Sequence, residues 1–198
     1  MSSINQSLNN PSFTNLSTDD KNCLLQTAKK SIDYGLQHHR ALPVEINEYN
    51  DLLKTQGASF VTLNLNKQLR GCIGTLEAHQ PLITDVSEHA YAAAFEDPRF
   101  PKVTKEEVNL LEISISILTS PAAIQFTSEK DLLSQLIPNV DGIILESGFH
   151  KATFLPAVWE QLSNAEDFIN HLKIKAGLDK HEWPDNLKIS RYQAISIK

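Results

Sequence analysis

Between residues 58 and 76 the sequence alternates apolar and polar residues twice in succession, a pattern that requires a β-hairpin. Val61, Leu63 and Leu65 alternate with Thr62, Asn64 and Asn66, the period of a strand with one buried face. The second arm, from Leu69, sets Leu69, Gly71 and Ile73 on one face and Arg70, Cys72 and Gly74 on the other. Parity then governs register. A two-residue Asn66-Lys67 turn opposes Leu63 to Arg70 and Val61 to Cys72, which mixes the faces. A three-residue loop, Asn66-Lys67-Gln68, opposes Leu65 to Leu69, Leu63 to Gly71 and Val61 to Ile73. The pattern selects the odd loop. Thr62, Asn64, Arg70 and Cys72 then share one face, while Val61, Leu63, Leu65, Leu69 and Ile73 pack on helices from the other. The loop holds no glycine, so Asn66 is the residue expected to turn left-handed.

The flanking segments read as a mixture of helices and strands. Ser17 or Thr18 caps a helix reaching about Leu36, with Cys23, Leu24, Ala28, Ile32 and Leu36 along one stripe. Cys23 reads there as a small buried hydrophobe. A loop with Pro43 follows, then a short helical segment over 49–55. Pro81 opens a helix to Glu96 whose small apolar side is Val86, Ala90, Ala93 and Ala94, and Asp97-Pro98-Arg99-Phe100-Pro101 terminates it. Thr104 and Glu107 form a capping box. Residues 111–118 alternate Ile113, Ile115 and Ile117 with Glu112, Ser114 and Ser116, a half-buried strand. Ser128 caps a helix to Ile137; 142–147 and 150–155 form a hairpin about Gly148; Pro156 suits a first helical position. Asn164 caps a helix that Gly177 ends, and 187–197 reads as one last strand. Most strand pairs are hairpins rather than βαβ crossovers, which gives an α+β fold with a mainly antiparallel sheet and flanking helices, one domain over 16–198. Residues 1–15, rich in Ser and Asn, read as a disordered N-terminal arm.

Composition narrows the function classes. With 198 residues, 41% hydrophobic and 21% charged, the chain can bury a core without staples. A net charge of −6 argues against nucleic acid as a partner. The longest apolar run, Ala90 to Phe95, falls far short of the roughly 20 residues of a membrane helix, so no membrane association is expected. With 2 cysteines in no paired arrangement and no recognisable secretory signal, the expectation is free thiols and a cytoplasmic location.

The best candidate for chemistry is Arg70-Gly71-Cys72-Ile73-Gly74. Side chains i and i+2 of a strand point the same way about 6.6 Å apart, so Arg70 can reach Cys72 and favour the thiolate, the reactive form. Gly71 and Gly74 weaken a strand and require either close approach of another backbone or a ligand at the main chain. The residues leave three readings open: packing, an anion or substrate site, and a nucleophilic or redox cysteine. The Asp97–Pro101 turn has two readings, an internal salt bridge that stops a helix, or an Arg99 that grips a carboxylate or phosphate in bidentate fashion. The 7 histidines include no HExxH, HxH or His/Cys pairing, so no metal is expected, and His89 reads as a partly buried helix residue. There is no GxSxG, Walker loop or GxGxxG, and no cofactor is expected.

Several segments together resemble one family. They are Leu69-Arg70-Gly71-Cys72-Ile73-Gly74-Thr75, Ala92-Ala93-Ala94-Phe95-Glu96-Asp97-Pro98-Arg99-Phe100-Pro101, and the strand from Glu112 to Thr119. Asp141-Gly142-Ile143-Ile144-Leu145, Ala152-Thr153-Phe154-Leu155-Pro156 and Lys175-Ala176-Gly177-Leu178, with Trp183 after it, complete the set. The chain resembles the AMMECR family, whose bacterial and archaeal members carry the label AmmeMemoRadiSam system protein A. The resemblance implies one α+β domain of a larger and a smaller lobe, with the LRGCIG motif near a cleft. It also implies possible partners, a Memo-type dioxygenase-like protein and a radical SAM protein. Many relatives carry a cysteine where this chain has Lys173, which leaves Cys72 as the only thiol outside the core. The expectation is an enzyme or enzyme-associated protein of unassigned reaction. Its site binds a small anionic ligand through Arg70, Gly71, Gly74, Asp97, Arg99 and Thr153, with Cys72 as a reactive thiolate. The alternative is a non-catalytic binding or accessory module working with those partners.

Overall fold

The structure is a computed structural model and describes residues 13–198. The chain divides into two compact units, one formed by residues up to Leu118 together with Ile195–Lys198, the other by Thr119–Ala194.

The first unit begins with a 3-10 turn, Phe13–Asn15, whose Phe13 is buried in the core. Phe13–Asn15, the last part of the stretch expected as a disordered arm over 1–15, are instead ordered, because a buried aromatic ring anchors the chain there; the rest of that stretch lies outside the described residues. Ser17 caps α1 (Thr18–His38) in a capping box with Asp20. Then follow α2 (Asp51–Lys54), capped by Asn50, β1 (Gln56–Leu65), β2 (Gln68–Gly74), β3 (Gln80–Pro81) and α3 (Leu82–Phe95). Thr104 and Glu107 box the start of α4 (Lys105–Val108), which leads into β4 (Leu111–Leu118).

The second unit holds β5 (Ala122–Ala123), α5 (Glu129–Gln135), β6 (Gly142–Ser147), β7 (His150–Phe154), a 3-10 turn at Pro156–Glu160, α6 (Ala165–Lys175) and β8 (Lys188–Tyr192). The chain ends in β9 (Ala194–Ile197). The predicted last strand over 187–197 is thus two strands. β8 pairs with β5 and β6 in a four-stranded sheet ordered β5-β8-β6-β7, whereas β9 joins a sheet ordered β2-β1-β4-β9, with β3 also on β1. Interspersed helices and antiparallel strand pairs make this an α+β protein, as expected.

Helices α1 and α3 cover one face of the larger sheet. Leu24, Ala28 and Ile32 of α1 and Val86, Ala90, Ala93 and Ala94 of α3 share a buried cluster with Val61, Leu63, Ile115 and Ile117. Each fully buried branched side chain contributes about 1.5–3 kcal/mol. Asp85 pins α3 to β1: its Oδ2 accepts from the Ser59 amide at 2.9 Å and hydroxyl at 2.6 Å, and lies 3.1 Å from His89 Nδ1. His89 is therefore the partly buried helix residue the sequence suggested. Cys23 is half-buried against the same core, and burial raises its thiol pKa.

A second cluster lies under the smaller sheet, where Trp159 stacks on Phe168 with ring centroids 3.9 Å apart among Ile143, Leu145, Leu172 and Ile189. Lys173 is also fully buried, donating to Glu129 Oε1 at 3.0 Å and to the Lys180 carbonyl at 3.1 Å, with Trp183 beneath its ammonium. A lone buried ammonium is tolerated only with such partners.

The hairpin departs from the predicted loop in an instructive way. Val61 opposes Ile73, Thr62 opposes Cys72 and Leu63 opposes Gly71, as expected. Yet the turn is the two-residue one: Asn66 and Lys67 both adopt positive φ, 52° and 63°, and Leu65 opposes Gln68. Paired left-handed residues match the twist of hairpin strands. The odd residue is instead Arg70, left unpaired in a bulge between the Leu63–Gly71 and Asn64–Leu69 pairs. Leu69 accordingly leaves the apolar face and is 44% exposed, contrary to the predicted packing.

Candidate functional site

Register builds a polar face on the larger sheet. Thr62 sits between Cys72 on β2 and Ser114 on β4, so a thiol and two hydroxyls form one row across three strands. The next row is Gly74, Phe60 and Ser116. These side chains are half-buried, whereas Val61, Leu63, Ile115 and Ile117, one residue out of phase, are fully buried under the helices. Thr62 Oγ1 and Cys72 Sγ are 3.2 Å apart, within hydrogen-bonding range for sulfur.

β2 is an edge strand, and an unpaired edge exposes amides and carbonyls that need partners. At Cys72 the Asp97–Pro101 turn supplies both. The Cys72 amide donates to Asp97 Oδ2 at 2.8 Å, and Arg99 Nη2 donates to the Cys72 carbonyl at 3.0 Å. Asp97 and Arg99 are themselves joined: Asp97 Oδ1 accepts from Arg99 Nε at 2.9 Å and from its amide at 3.1 Å, and Oδ2 accepts from Nη2 at 2.7 Å. One carboxylate and one guanidinium thus imitate a missing strand. The expected proximity of Cys72 to this turn is observed. Arg99 holds the buried Asp97 carboxyl far below the usual carboxylate range, reinforced by the Cys72 and Arg99 amides, and Asp97 in turn raises the Arg99 pKa.

Arg70 is placed differently from the sequence expectation. Its Nε and Nη2 donate to Glu107 Oε1 and Oε2 at 2.9 and 3.0 Å, while Nη1 and Nη2 donate to the Pro101 and Lys102 carbonyls at 2.7 and 3.2 Å. Four of the five guanidinium N–H donors are directed at protein acceptors, so the arginine ties the bulge to α4 rather than to the Cys72 sulfur. Glu107, noticed in the sequence only as half of a capping box, is its partner; a separation of 37 residues carries no local signal. Gly71 and Gly74 also have packing reasons. A Cβ on Gly71 would collide with the Ala93 carbonyl of α3, and one on Gly74 with the Ser59 carbonyl and Phe60. Thr153 belongs to the second unit, where its hydroxyl donates to the Ile143 carbonyl at 2.9 Å and lies 3.1 Å from the Tyr192 hydroxyl.

Of the candidate residues, Cys72, Asp97 and Arg99 come together. The Arg99 side chain is 55% exposed, and its Nη1 has no hydrogen-bond partner among the described residues. It lies close enough to Cys72 that a negative charge on the sulfur stabilises the Arg99 cation. The guanidinium end of Arg99 is thus half-exposed beside the Cys72 thiol.

The electrostatics predict acid sensitivity. Asp97 and Glu107 both have folded pKa values lowered by their arginine partners. The stability they add is complete above the unfolded carboxyl values of about 4, and it is lost as pH falls through the lower folded values. Urea unfolding should therefore show a midpoint that drops between pH 4.5 and pH 2.5 (roughly the window below those unfolded values), and Asp97→Asn should flatten that drop while costing about 1.5–3 kcal/mol at neutral pH. A wild-type midpoint that stays constant through this window contradicts the assignment.

The model of the family described as AMMECR1 matches residues 25–197. The chain is 37% identical over 155 residues to Protein MJ0810 of Methanocaldococcus jannaschii, covering 76% of this chain and 77% of that protein. It is 34% identical over 184 residues to a protein of Methanothermobacter thermautotrophicus, covering 92% and 95%. The crystal structure of protein PH0010 from Pyrococcus horikoshii superposes with a TM-score of 0.77 at 29% identity, covering 87% of this chain and 88% of that one. Among the described residues no helix is long and apolar enough to cross a membrane.

Proposed function

Because this chain belongs to the AMMECR1 family, we propose that it is an enzyme or enzyme-associated protein whose ligand is a small anion, held by the open end of Arg99 beside the Cys72 thiol. The observation that carries this reading is the half-exposed guanidinium of Arg99, fixed by Asp97 and the Cys72 carbonyl yet unpartnered at Nη1. The ligand rests on the row of Cys72, Thr62 and Ser114, whose hydroxyls offer both donors and acceptors. Cys72 is the reactive group of that site, and Thr62 orients its sulfur.

Alkylation tests the pairing of anion site and thiol. Iodoacetate carries a carboxylate and iodoacetamide does not, so the ratio of their rates at Cys72 reports anion capture. Arg99→Gln should lower that ratio about tenfold, the equivalent of one charge-assisted hydrogen bond, and Arg99→Lys should lower it less. Cys23, located by peptide mass spectrometry, serves as the internal reference. A Cys72 that stays unmodified in the native protein, or a ratio equal in wild type and Arg99→Gln, overturns the reading.

A second reading is a non-catalytic binding or accessory module working with Memo-type and radical SAM partners. What favours it is that Arg70, Gly71 and Gly74, the most distinctive residues of the motif, are all engaged in packing or internal pairing. Metabolite profiling of a deletion strain separates the two. Complementation by Cys72→Ser that restores the wild-type profile favours the module; failure of a folded Cys72→Ser protein favours chemistry at the thiol.

A further inference from the structure

The second unit carries a pocket that the Cys72 site does not use. It lies at the tip of the β6–β7 hairpin, has a volume of about 470 Å³, and is lined by Glu146, Phe149, His150, Lys151, Asn186 and Lys188. Small-molecule sites commonly enclose roughly 300–1,000 Å³. We propose that this pocket binds a small anion that carries a flat heterocycle, of the nucleoside monophosphate type.

Charge is the first argument. Glu146 on β6 opposes Lys151 on β7 and Lys188 on β8, so one carboxylate stands between two ammonium groups on the same face. Glu146 pairs with Lys151 at 2.8 Å. The row keeps a net positive charge, although the whole chain is −6. That overall charge repels a polyanion, whereas a single phosphate needs only the local excess.

Shape supplies the second argument. Gly148, at φ 59°, and Phe149 form the two-residue turn between Ser147 and His150, which leaves Phe149 fully exposed at the tip. A lone exposed ring lining a pocket offers one π-face for stacking, and stacking tolerates any flat heterocycle.

Polar groups around the ring complete the match. His150 Nδ1 lies 2.9 Å from the Ala176 carbonyl. A carbonyl only accepts, so a proton is on Nδ1, and in that tautomer Nε2 is an acceptor. Asn186 accepts from Ser147 through Oδ1, which directs its amide NH₂ elsewhere, 3.8 Å from where a Gly148 Cβ would stand. A donor and an acceptor beside an aromatic face suit the edge of a nucleobase, which carries both.

Calorimetric titration of the full chain tests the assignment with three probes: adenosine 5′-monophosphate, adenosine and inorganic phosphate. The monophosphate should bind saturably and more tightly than either part. Phe149→Ala, at an exposed position that leaves the fold intact, should weaken the monophosphate and adenosine at least fivefold and leave phosphate unchanged. Lys188→Glu should weaken the monophosphate and phosphate and spare adenosine. Absence of saturable binding to the wild type overturns the proposal, as does equal binding by both variants. Phe149-dependent sedimentation with phosphatidylserine vesicles, without monophosphate binding, overturns it in favour of a membrane-contacting tip. None of these results depends on Cys72 or Arg99.

Discussion

Replacing Gly71 by alanine is expected to destabilise the first unit by about 3 kcal/mol or more, at the upper end of what overpacking costs. The added methyl has nowhere to go: its position is already taken by the Ala93 carbonyl, main chain of α3, and a helix backbone cannot rotate aside as a side chain can. β2 has to move outward instead, which pulls the Cys72 amide and carbonyl away from Asp97 and Arg99. A useful contrast is Gly148. It has positive φ, where alanine is strained, yet a Cβ there meets only Asn186 Nδ2 at 3.8 Å. Gly148→Ala should cost only about 1 kcal/mol, the conformational penalty alone. Urea denaturation of both variants checks this ordering. A Gly71→Ala protein as stable as Gly148→Ala would mean that the Gly71 main chain has room, and would return that glycine to the ligand reading.

Arg70→Met is expected to cost about 3–5 kcal/mol, the range for removing one partner of a buried ion pair. The loss is larger than a surface salt bridge because four bonds go together. Glu107 keeps its contacts with Thr104, and the Pro101 and Lys102 carbonyls lose their Arg70 donors. The arginine side chain is 11% exposed, so water replaces those bonds poorly. Pairing the change with Glu107→Leu should recover part of the loss, since the uncompensated carboxylate disappears. Thermal unfolding of the two single variants and the double variant measures this. If Arg70→Met leaves stability within about 0.5 kcal/mol of wild type, as surface changes usually do, Arg70 is not the tie between β2 and α4, and its role as a ligand residue is restored.

These two residues show where the sequence speaks and where it stops. Alternation over residues 61–65 and 69–73 was enough to set Val61 against Ile73 and Leu63 against Gly71, because a slip of one residue would expose a whole apolar face. It was not enough to say where the odd residue goes. A three-residue loop and a two-residue turn with a bulge satisfy the same parity. The choice fell to the bulge because Asn66 and Lys67 together adopt the twist-matched left-handed turn, and because the extra residue, Arg70, finds Glu107 and two carbonyls.

Helix ends were equally legible. Ser17, Ser128 and Asn164 all cap through their own side chains, and Gly177 takes positive φ after α6, since each signal acts within a few residues of itself. The strand over 187–197 could not be divided correctly from its own composition. β8 and β9 are both short apolar alternations, and only their partners, β5 and β6 for one and β4 for the other, assign them to different sheets.

The candidate site follows the same division. By itself the sequence determined the residue types that matter, a cysteine on a strand between two glycines and a charged turn ending a helix, because periodicity and proline sterics are properties of the chain nearby. Tertiary structure decided which charge serves what: it turned Arg70 inward to Glu107, gave Asp97 and Arg99 the free edge of β2, and set Thr62 and Ser114 in line with Cys72. An ion pair is selected by what lies within about 4 Å in space, and separation along the chain, 25 residues from Cys72 to Asp97 and 37 from Arg70 to Glu107, says nothing about that distance.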